Sequence, residues 1–489
     1  IVFGDWSSDV CSSDLTLLLQ SPTLVTAAET FTADVLIEGE KIAAIGQHLT
    51  PPPGCTNLDA SGKLLLPGGV DVHVHLDLPM FGTVSSDDHY TGSKAAAFGG
   101  TTTVIDFISQ DADPLLANLT TWQAKAASCA IDYSAHMNIS HLTPQVLNDL
   151  PLLADAGIPS LKVFTAYNNR LRLSDCDIFR VLRVAGQHGI LTLVHAENGD
   201  VIELLIAEAL AAGHTEPLWH ARTRPAWGAV EAGLRAAALS AQAGNAPLYI
   251  VHMNAGGEAD MLRYARQAGL PIFGETCPQY LLCDESLLAR PDGAKWICSP
   301  PLRSTDDQAR LWRGLQEGDL QVIATDHCPF FYDGSRPIDY EGHPIAIPGK
   351  ELGRGNFTKI PNGLPGVGDR LPVLWTAGVG SGKLTPNQFV ALNCTNPARL
   401  FGLYPRKGAL LPGSDADLVL WNPQQTLTYG AAIAQHRTDY NLYEGWQLTG
   451  WPERVFLRGE CIVEHGRWLG QRGQGQFLSR QRFKRPQGL

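Results

Sequence analysis

The stretch "VDVHVHL" sets His73 and His75 one residue apart. In a β-strand that spacing turns both imidazoles to one face, with Val72 and Val74 on the other. Two imidazoles on one face suit a divalent cation, although a hydrogen-bonded pair of core histidines reads the same way. Further polar residues close other apolar runs: Lys162 in "SLKVFTAY", His195 in "VHAENGD", His252 in "VHMNAGG" and Asp326 in "ATDHCP". Four histidines, a lysine and an aspartate make a ligand set if the five strand ends that carry them converge. Lys162 is the odd member. A buried ammonium is costly unless it is neutralised or paired, and neither Ser160 nor Phe164 on the same strand supplies an anion. A neutral lysine amine that adds carbon dioxide becomes a carbamate, whose two oxygens can each hold a metal ion while the two cations balance its charge. The plainer alternative is a lysine paired with an aspartate or glutamate.

Two divalent ions about 3.5–4 Å apart lower the pKa of a shared water from about 15.7 towards 7, which supplies a nucleophile without a reactive side chain. Asp326 can ligate with one oxygen and use the other to carry a proton to a leaving nitrogen. The reaction class is hydrolysis of an amide-like bond. Tyr167, just past the strand of Lys162, is expected to reach over the site and donate to the oxyanion; packing against the rim is the alternative.

These residues need a scaffold that brings strand ends together. Eight short apolar runs, "VDVHVHL", "TTVIDF", "DYSAHMN", "SLKVFTAY", "LTLVHAE", "PLYIVHM", "PIFGETC" and "QVIATDH", alternate with Ala- and Leu-rich helical text. That rhythm predicts a (β/α)8 TIM barrel over residues 66–407, with chemistry at the C-terminal strand ends. An open doubly wound sheet is the alternative, weakened by the lack of a GxGxxG or GxxxxGK[ST] motif opening a helix. Residues 16–65 read as short strands with Gly and Pro turns, and the same texture returns over 408–473, so the two chain ends are expected to build one small β-sandwich domain. Residues 1–15 lack that patterning and are expected to be a non-native or disordered leader, and 474–489 a C-terminal tail.

A formal net charge of −12, without a basic cluster beyond "SRQRFKRPQGL", argues against nucleic acid as a partner. No apolar run reaches the roughly 18–20 residues of a membrane span. The ten cysteines are scattered with no CxxC pair, which suits reduced thiols in a cytoplasm.

From about Thr16 to about Gly473 the chain resembles the dihydropyrimidinase and D-hydantoinase family of cyclic amidohydrolases. The likeness is carried by "LLPGGVDVHVHLDLPMFGTVSSDDHYTGSKAAAFGGTTTVIDF", "LKVFTAY", "VHAENGD", "HMNAGG", "GETCPQYL", "CSPPLR", "ATDHCPF" and "FTKIPNGLPGVGDR". The resemblance implies a binuclear centre, usually zinc with manganese or cobalt as alternatives. In it His73, His75 and Asp326 hold one ion, His195 and His252 the other, and carboxylated Lys162 bridges. It also implies that the backbone around Ser299 and Asn362 binds the ring's amide edge, that Met80, Phe164 and Leu171 face the exocyclic substituent, and that the chain forms a homotetramer or homodimer. The implied activity is ring opening of dihydropyrimidines or 5-substituted hydantoins to N-carbamoyl amino acids. Leu171 stands where hydantoinases often carry an aromatic residue, which bears on any preference for bulky aryl substituents. An allantoinase- or dihydroorotase-like activity is the nearer alternative. Dihydroorotases typically place an Arg just after HxH, whereas "HVHLDLP" puts Asp77 there, against an acidic substrate. A non-catalytic scaffold like the collapsin response mediator proteins is the distant alternative, disfavoured because all six ligand positions are filled. The stretch "FYDGSRPIDYEGHPIAIPG" (331–349) is longer than the family leads one to expect, and is read as a lid, a surface elaboration or an oligomer contact.

Overall fold

The computed structural model describes residues 15–335, 338–340, 343–345 and 347–489. The expected leader therefore lies outside the described residues except for Leu15. Eight parallel strands follow one another in chain order around a single sheet: β1 (Gly69–Val74), β2 (Thr101–Ile108), β3 (Asp132–Asn138), β4 (Ser160–Phe164), β5 (Leu191–His195), β6 (Leu248–Ile250), β7 (Ile272–Thr276) and β8 (Val322–Ile323). All eight are the runs picked out by their apolar text, and at least one helix lies on each crossover. The helix Asp175–Gln187 shows why such segments coil and where they point. Ser174 caps it by accepting from the Asp177 amide, and Ile178, Val181, Leu182 and Ala185 recur every three or four residues to make its buried stripe.

The sheet closes beyond the regular ladder, where Val74 pairs with His327 and the His75 amide donates to the His327 carbonyl at 2.7 Å. Beneath this seam the buried Arg370 guanidinium donates to Val70 O at 3.0 Å, Ile323 O at 2.9 Å and Thr101 Oγ1 at 3.0 Å. One side chain thus satisfies carbonyls that the short β8 leaves without a ladder partner. The β1–β2 register slips between Val104 and Asp106. As a result Val72 packs with the interior side chains Ile105, Leu193 and Tyr249 rather than on the outer face that strict alternation assigns to it, while Val74 joins the outer core.

Both chain ends build the second layer, as expected. One sheet runs Lys41–Gly46, Asp34–Glu38, Thr16–Gln20, Thr56–Asp59; the other runs Arg467–Trp468, Glu460–Glu464, Gln447–Leu457, Leu418–Thr428, Leu64–Pro67, Thr23–Val25, Thr30–Thr32. Leu17, Leu19, Val35, Ile37, Leu65, Leu418 and Phe456 fill the space between them. Residues of the C-terminal tail pack against the barrel. Leu478 is fully buried at the bottom of the barrel, and the Arg480 guanidinium reaches in to donate to Ser134 Oγ at 2.9 Å and Ser160 Oγ at 2.7 Å. Among the described residues of 331–349, Ile338–Tyr340 and His343–Ile345 form an antiparallel hairpin. Thr83, on the hairpin that carries Met80, donates to the Pro348 carbonyl. No helix among the described residues is long and apolar enough to cross a membrane.

Candidate active site

The strand ends converge as their spacing predicts. Asp326 Oδ1 lies 3.1 Å from His73 Nε2 and 3.2 Å from His75 Nε2. Lys162 Nζ is 3.1 Å from the same His73 nitrogen, and His195 Nδ1 is 2.9 Å from His252 Nε2. Ligand atoms of His73, His252 and Asp326 all fall within 4.8 Å of one another. Tyr167, His252 and Asp326 take positive φ angles of 64°, 40° and 54°, a left-handed conformation uncommon outside glycine and costing of order 1–3 kcal/mol where it is strained. It occurs here where the chain turns off β4, β6 and β8 over the barrel mouth.

Two carboxylates that strand patterning did not single out decide what the histidines can do. Glu275, at the end of β7, accepts from His73 Nδ1, from the His252 amide at 3.1 Å and from Tyr249 Oη at 2.9 Å. Glu197 Oε2 lies 2.9 Å from His195 Nε2. A carboxylate acceptor fixes the proton on the nitrogen facing it, so His73 Nε2 and His195 Nδ1 turn lone pairs to the centre. Glu275 reaches its position because β7 carries Gly274 one residue earlier: a Cβ there would meet Met253 Sδ at 2.5 Å and Leu262 Cδ1 at 2.7 Å. The signal for Glu197 and Glu275 was their place in "VHAE" and "GETC", both strand ends.

Electrostatics agree with a cation-seeking pocket. Burial drives His75 down to about 4 and His252 well below the ordinary histidine range, the latter helped by His195. Burial also pulls the Lys162 amine down to about 8. For Asp326 burial acts upward, but His73 and His75 outweigh it and hold the carboxylate well below its usual range. For His73 burial acts downward, but Glu275 and Asp326 outweigh it and raise it. The lowered His75, His195, His252 and Lys162 and the ionised Asp326 are shifted in the direction that metal binding requires. The donor set therefore fits a binuclear metal centre, with the imidazole and carboxylate ligands that zinc takes. A second acidic cluster, Asp132, Asp415 and Asp417, does not fit a cation in the same way. Lys407 Nζ sits among the three at 2.6, 2.9 and 2.8 Å and already supplies the positive charge.

Above the centre lies a cavity of about 160 Å³. Eleven of the twelve candidate residues meet there: His75, Lys162, His195, His252, Asp326, Tyr167, Ser299, Asn362, Met80, Phe164 and Leu171. His73 lies fully buried behind them. Asn362 Nδ2 donates to Ser299 Oγ at 3.0 Å, and Ser299 Oγ is 3.2 Å from His220 Nε2, so the two loops expected to grip a ring edge are joined to each other. Burial and the nearby Glu197 push the Tyr167 phenol up, keeping it a protonated donor. Leu78, Pro79, Phe81, Ser109, Asn138, Arg170 and Cys328 complete the wall, and no strand-end pattern marked them. Asp77, expected to meet an acidic substrate, lines a neighbouring cavity and accepts from Lys125 at 2.8 Å.

Comparison with known proteins places this architecture. Residues 64–462 match the amidohydrolase family. The chain is 44% identical to a D-hydantoinase of Geobacillus stearothermophilus, over 96% of this chain and 97% of that protein. It is 40% identical to a D-phenylhydantoinase of Escherichia coli O9:H4 (strain HS), over 96% and 99%. A crystal structure of a dihydropyrimidinase from Brevibacillus agri superposes with a TM-score of 0.92 at 43% identity, covering 96% of this chain and all of that one.

Proposed function

Since the chain belongs to the dihydropyrimidinase and D-hydantoinase family of cyclic amidohydrolases, we propose that it opens the cyclic amide of dihydropyrimidines or 5-substituted hydantoins to give N-carbamoyl amino acids. The observation that carries this reading is the pair of buried carboxylates, Glu275 and Glu197, that turn histidine lone pairs into one mouth beside Lys162 and Asp326. In this reading His73, His75 and Asp326 hold one divalent ion and His195 and His252 the other. Lys162, carboxylated by carbon dioxide with loss of one proton, joins them, and zinc is the ion we assign. Such a pair of ions acidifies a bound water and polarises the substrate carbonyl.

The chain's own groups do the rest. Backbone around Ser299 and Asn362 holds the amide or imide edge, which fixes the carbonyl that faces Asp326. The free oxygen of Asp326 takes the proton of the attacking water and passes it to the ring nitrogen as the C–N bond breaks. Tyr167 donates its phenolic hydrogen to the oxygen that gains charge, and Met80, Phe164 and Leu171 wall the exocyclic substituent. Assembly as a homotetramer or homodimer and a cytoplasmic location complete the proposal. The exposed Leu204 and Trp227 and the nine free cysteines of the described residues support these two parts respectively.

A carboxylate-bearing ring is the second reading, favoured by Arg170. Its guanidinium lies at the cavity wall, 5.8 Å from the Phe81 ring centroid, and forms no ion pair among the described residues. Ring opening assayed on dihydrouracil, 5-methylhydantoin, 5-phenylhydantoin and dihydroorotate separates the two readings, with Lys162→Ala as the control. A metal-loaded protein that opens none of these rings, or a Lys162→Ala variant with full metal content and full rate, overturns the proposal.

A further inference from the structure

Lys350 is 1% exposed, and among the described residues no carboxylate pairs with it. Its Nζ instead donates to two backbone carbonyls, Ile297 O at 2.9 Å and Pro361 O at 3.0 Å. Those carbonyls belong to the two loops that carry Ser299 and Asn362. The Gly363 amide also donates to Ile297 O, at 3.1 Å, so Asn362 is bracketed by one residue held through Lys350 and one held directly by the opposite loop. The side-chain bond from Asn362 Nδ2 to Ser299 Oγ at 3.0 Å closes the bracket on the cavity side. Burial without a counter-ion pulls the Lys350 amine down to about 7. A buried lysine that binds only carbonyls is costly to keep, and here it stands at the junction of two loops that a substrate must meet in register.

The same residue directly follows the stretch 331–349 that is expected to be longer than in the family. Its backbone amide donates to Phe331 O at 2.8 Å, which brings Phe331 and Lys350 together at the bracket. Gly349 is required there because a Cβ would strike the Phe331 carbonyl.

On the reading of the site given above, we propose that Lys350 is a positioning residue for the substrate's ring edge: its amine locks the Ser299 and Asn362 loops at a fixed separation, so that the ring docks with its scissile carbonyl towards Asp326. Lys350 does not line the cavity, and among the described residues its amine bonds only Ile297 O and Pro361 O. Its loss should therefore weaken binding of every ring alike and leave the metal centre loaded. The test is Lys350→Met, with zinc counted by elemental analysis and kcat and KM measured for dihydrouracil, 5-methylhydantoin and 5-phenylhydantoin. The expected result is two zinc ions per chain as in the parent, KM raised about tenfold for all three rings, and kcat changed less than KM; Lys350→Arg, which retains donors, should recover part of the loss. KM within twofold of the parent, a loss of zinc in proportion to the loss of rate, or a KM increase confined to one substituent overturns the proposal. Should Lys350→Met not fold, Lys350→Gln takes its place under the same criteria. A parent enzyme that opens no ring defeats the reading of the site, whereas an active parent with an unaffected variant defeats the role of Lys350 alone.

Discussion

Replacing Glu275 by glutamine isolates one property of the site, the charge that fixes the tautomer of His73. The carboxylate is fully buried and serves three donors: His73 Nδ1, the His252 amide at 3.1 Å and the Tyr249 hydroxyl at 2.9 Å. A glutamine can set its carbonyl towards the first two and its amide nitrogen towards Tyr249, whose hydroxyl rotates to accept, so no donor is left unpaired. The fold should hold, unlike in Glu275→Ala, where the buried groups left without partners cost about 1–3 kcal/mol each. The polarisation of the imidazole is what glutamine removes. Loss of such outer partners lowers metal affinity by about 10- to 100-fold, or roughly 1.4–2.8 kcal/mol. Glu197→Gln should do the same through His195, since its Oε2 lies 2.9 Å from Nε2. Zinc competition against a chromogenic chelator measures the affinity of metal-free protein, and circular dichroism with thermal melting confirms the fold. If both variants bind zinc within threefold of the parent while melting normally, the carboxylates do not orient the ligands and the argument for the centre fails.

Tyr167→Phe removes the phenolic donor that the site holds protonated, and kcat should fall about 10²- to 10³-fold with metal content unchanged, read from steady-state ring opening and elemental analysis. Lys407→Met leaves Asp132, Asp415 and Asp417 without the ammonium between them and should cost about 3–5 kcal/mol of stability in denaturant unfolding, with ring opening per folded chain preserved and the zinc count still two. Its acid unfolding should also move to higher pH. Burial raises Asp415, but Lys407, Lys41 and Arg406 outweigh it and hold it at about 2, so its contribution is present above about 4 and is lost as pH falls through 2; without Lys407 that loss comes earlier.

The convergence of these side chains was legible because a strand's alternation and its C-terminal end are both written in apolar text. The tautomer of each histidine was not, because it depends on a carboxylate 202 positions away for His73, and periodicity says which face a ring takes but not which nitrogen looks inward. The short edge strands Thr30–Thr32 and Thr56–Asp59 are mostly polar and exposed and so resemble turns. The terminal "SRQRFKRPQGL" reads as a short Arg/Lys-rich end, yet Arg480 is buried because its partners lie on β3 and β4, the Ser134 and Ser160 hydroxyls and the Ala135 carbonyl, a match that no local pattern encodes. Val72 broke alternation because a register slip, not the side chain, sets its face.

Lys162 lines this cavity and the buried Lys350 lies behind its Ser299 and Asn362 loops, and comparison of their surroundings separates chemistry from architecture. Lys350 has two carbonyl acceptors that satisfy its nitrogen in place. Lys162 has no carbonyl or carboxylate at hydrogen-bond distance among the described residues; its near polar neighbour is His73 Nε2 at 3.1 Å, a nitrogen whose lone pair faces the centre. Its amine also lies 4.3 Å from the Phe107 ring centroid, so part of its shell is apolar. Burial brings it down to about 8, which makes roughly a tenth of it neutral at pH 7 against far less for a free lysine, and only the neutral amine attacks carbon dioxide. An amine with satisfied acceptors gains little by changing its chemistry. One that faces lone pairs and an aromatic ring would be stabilised by becoming an anion between cations, and that difference in partners is why we propose the carbamate at Lys162 and the bracket at Lys350.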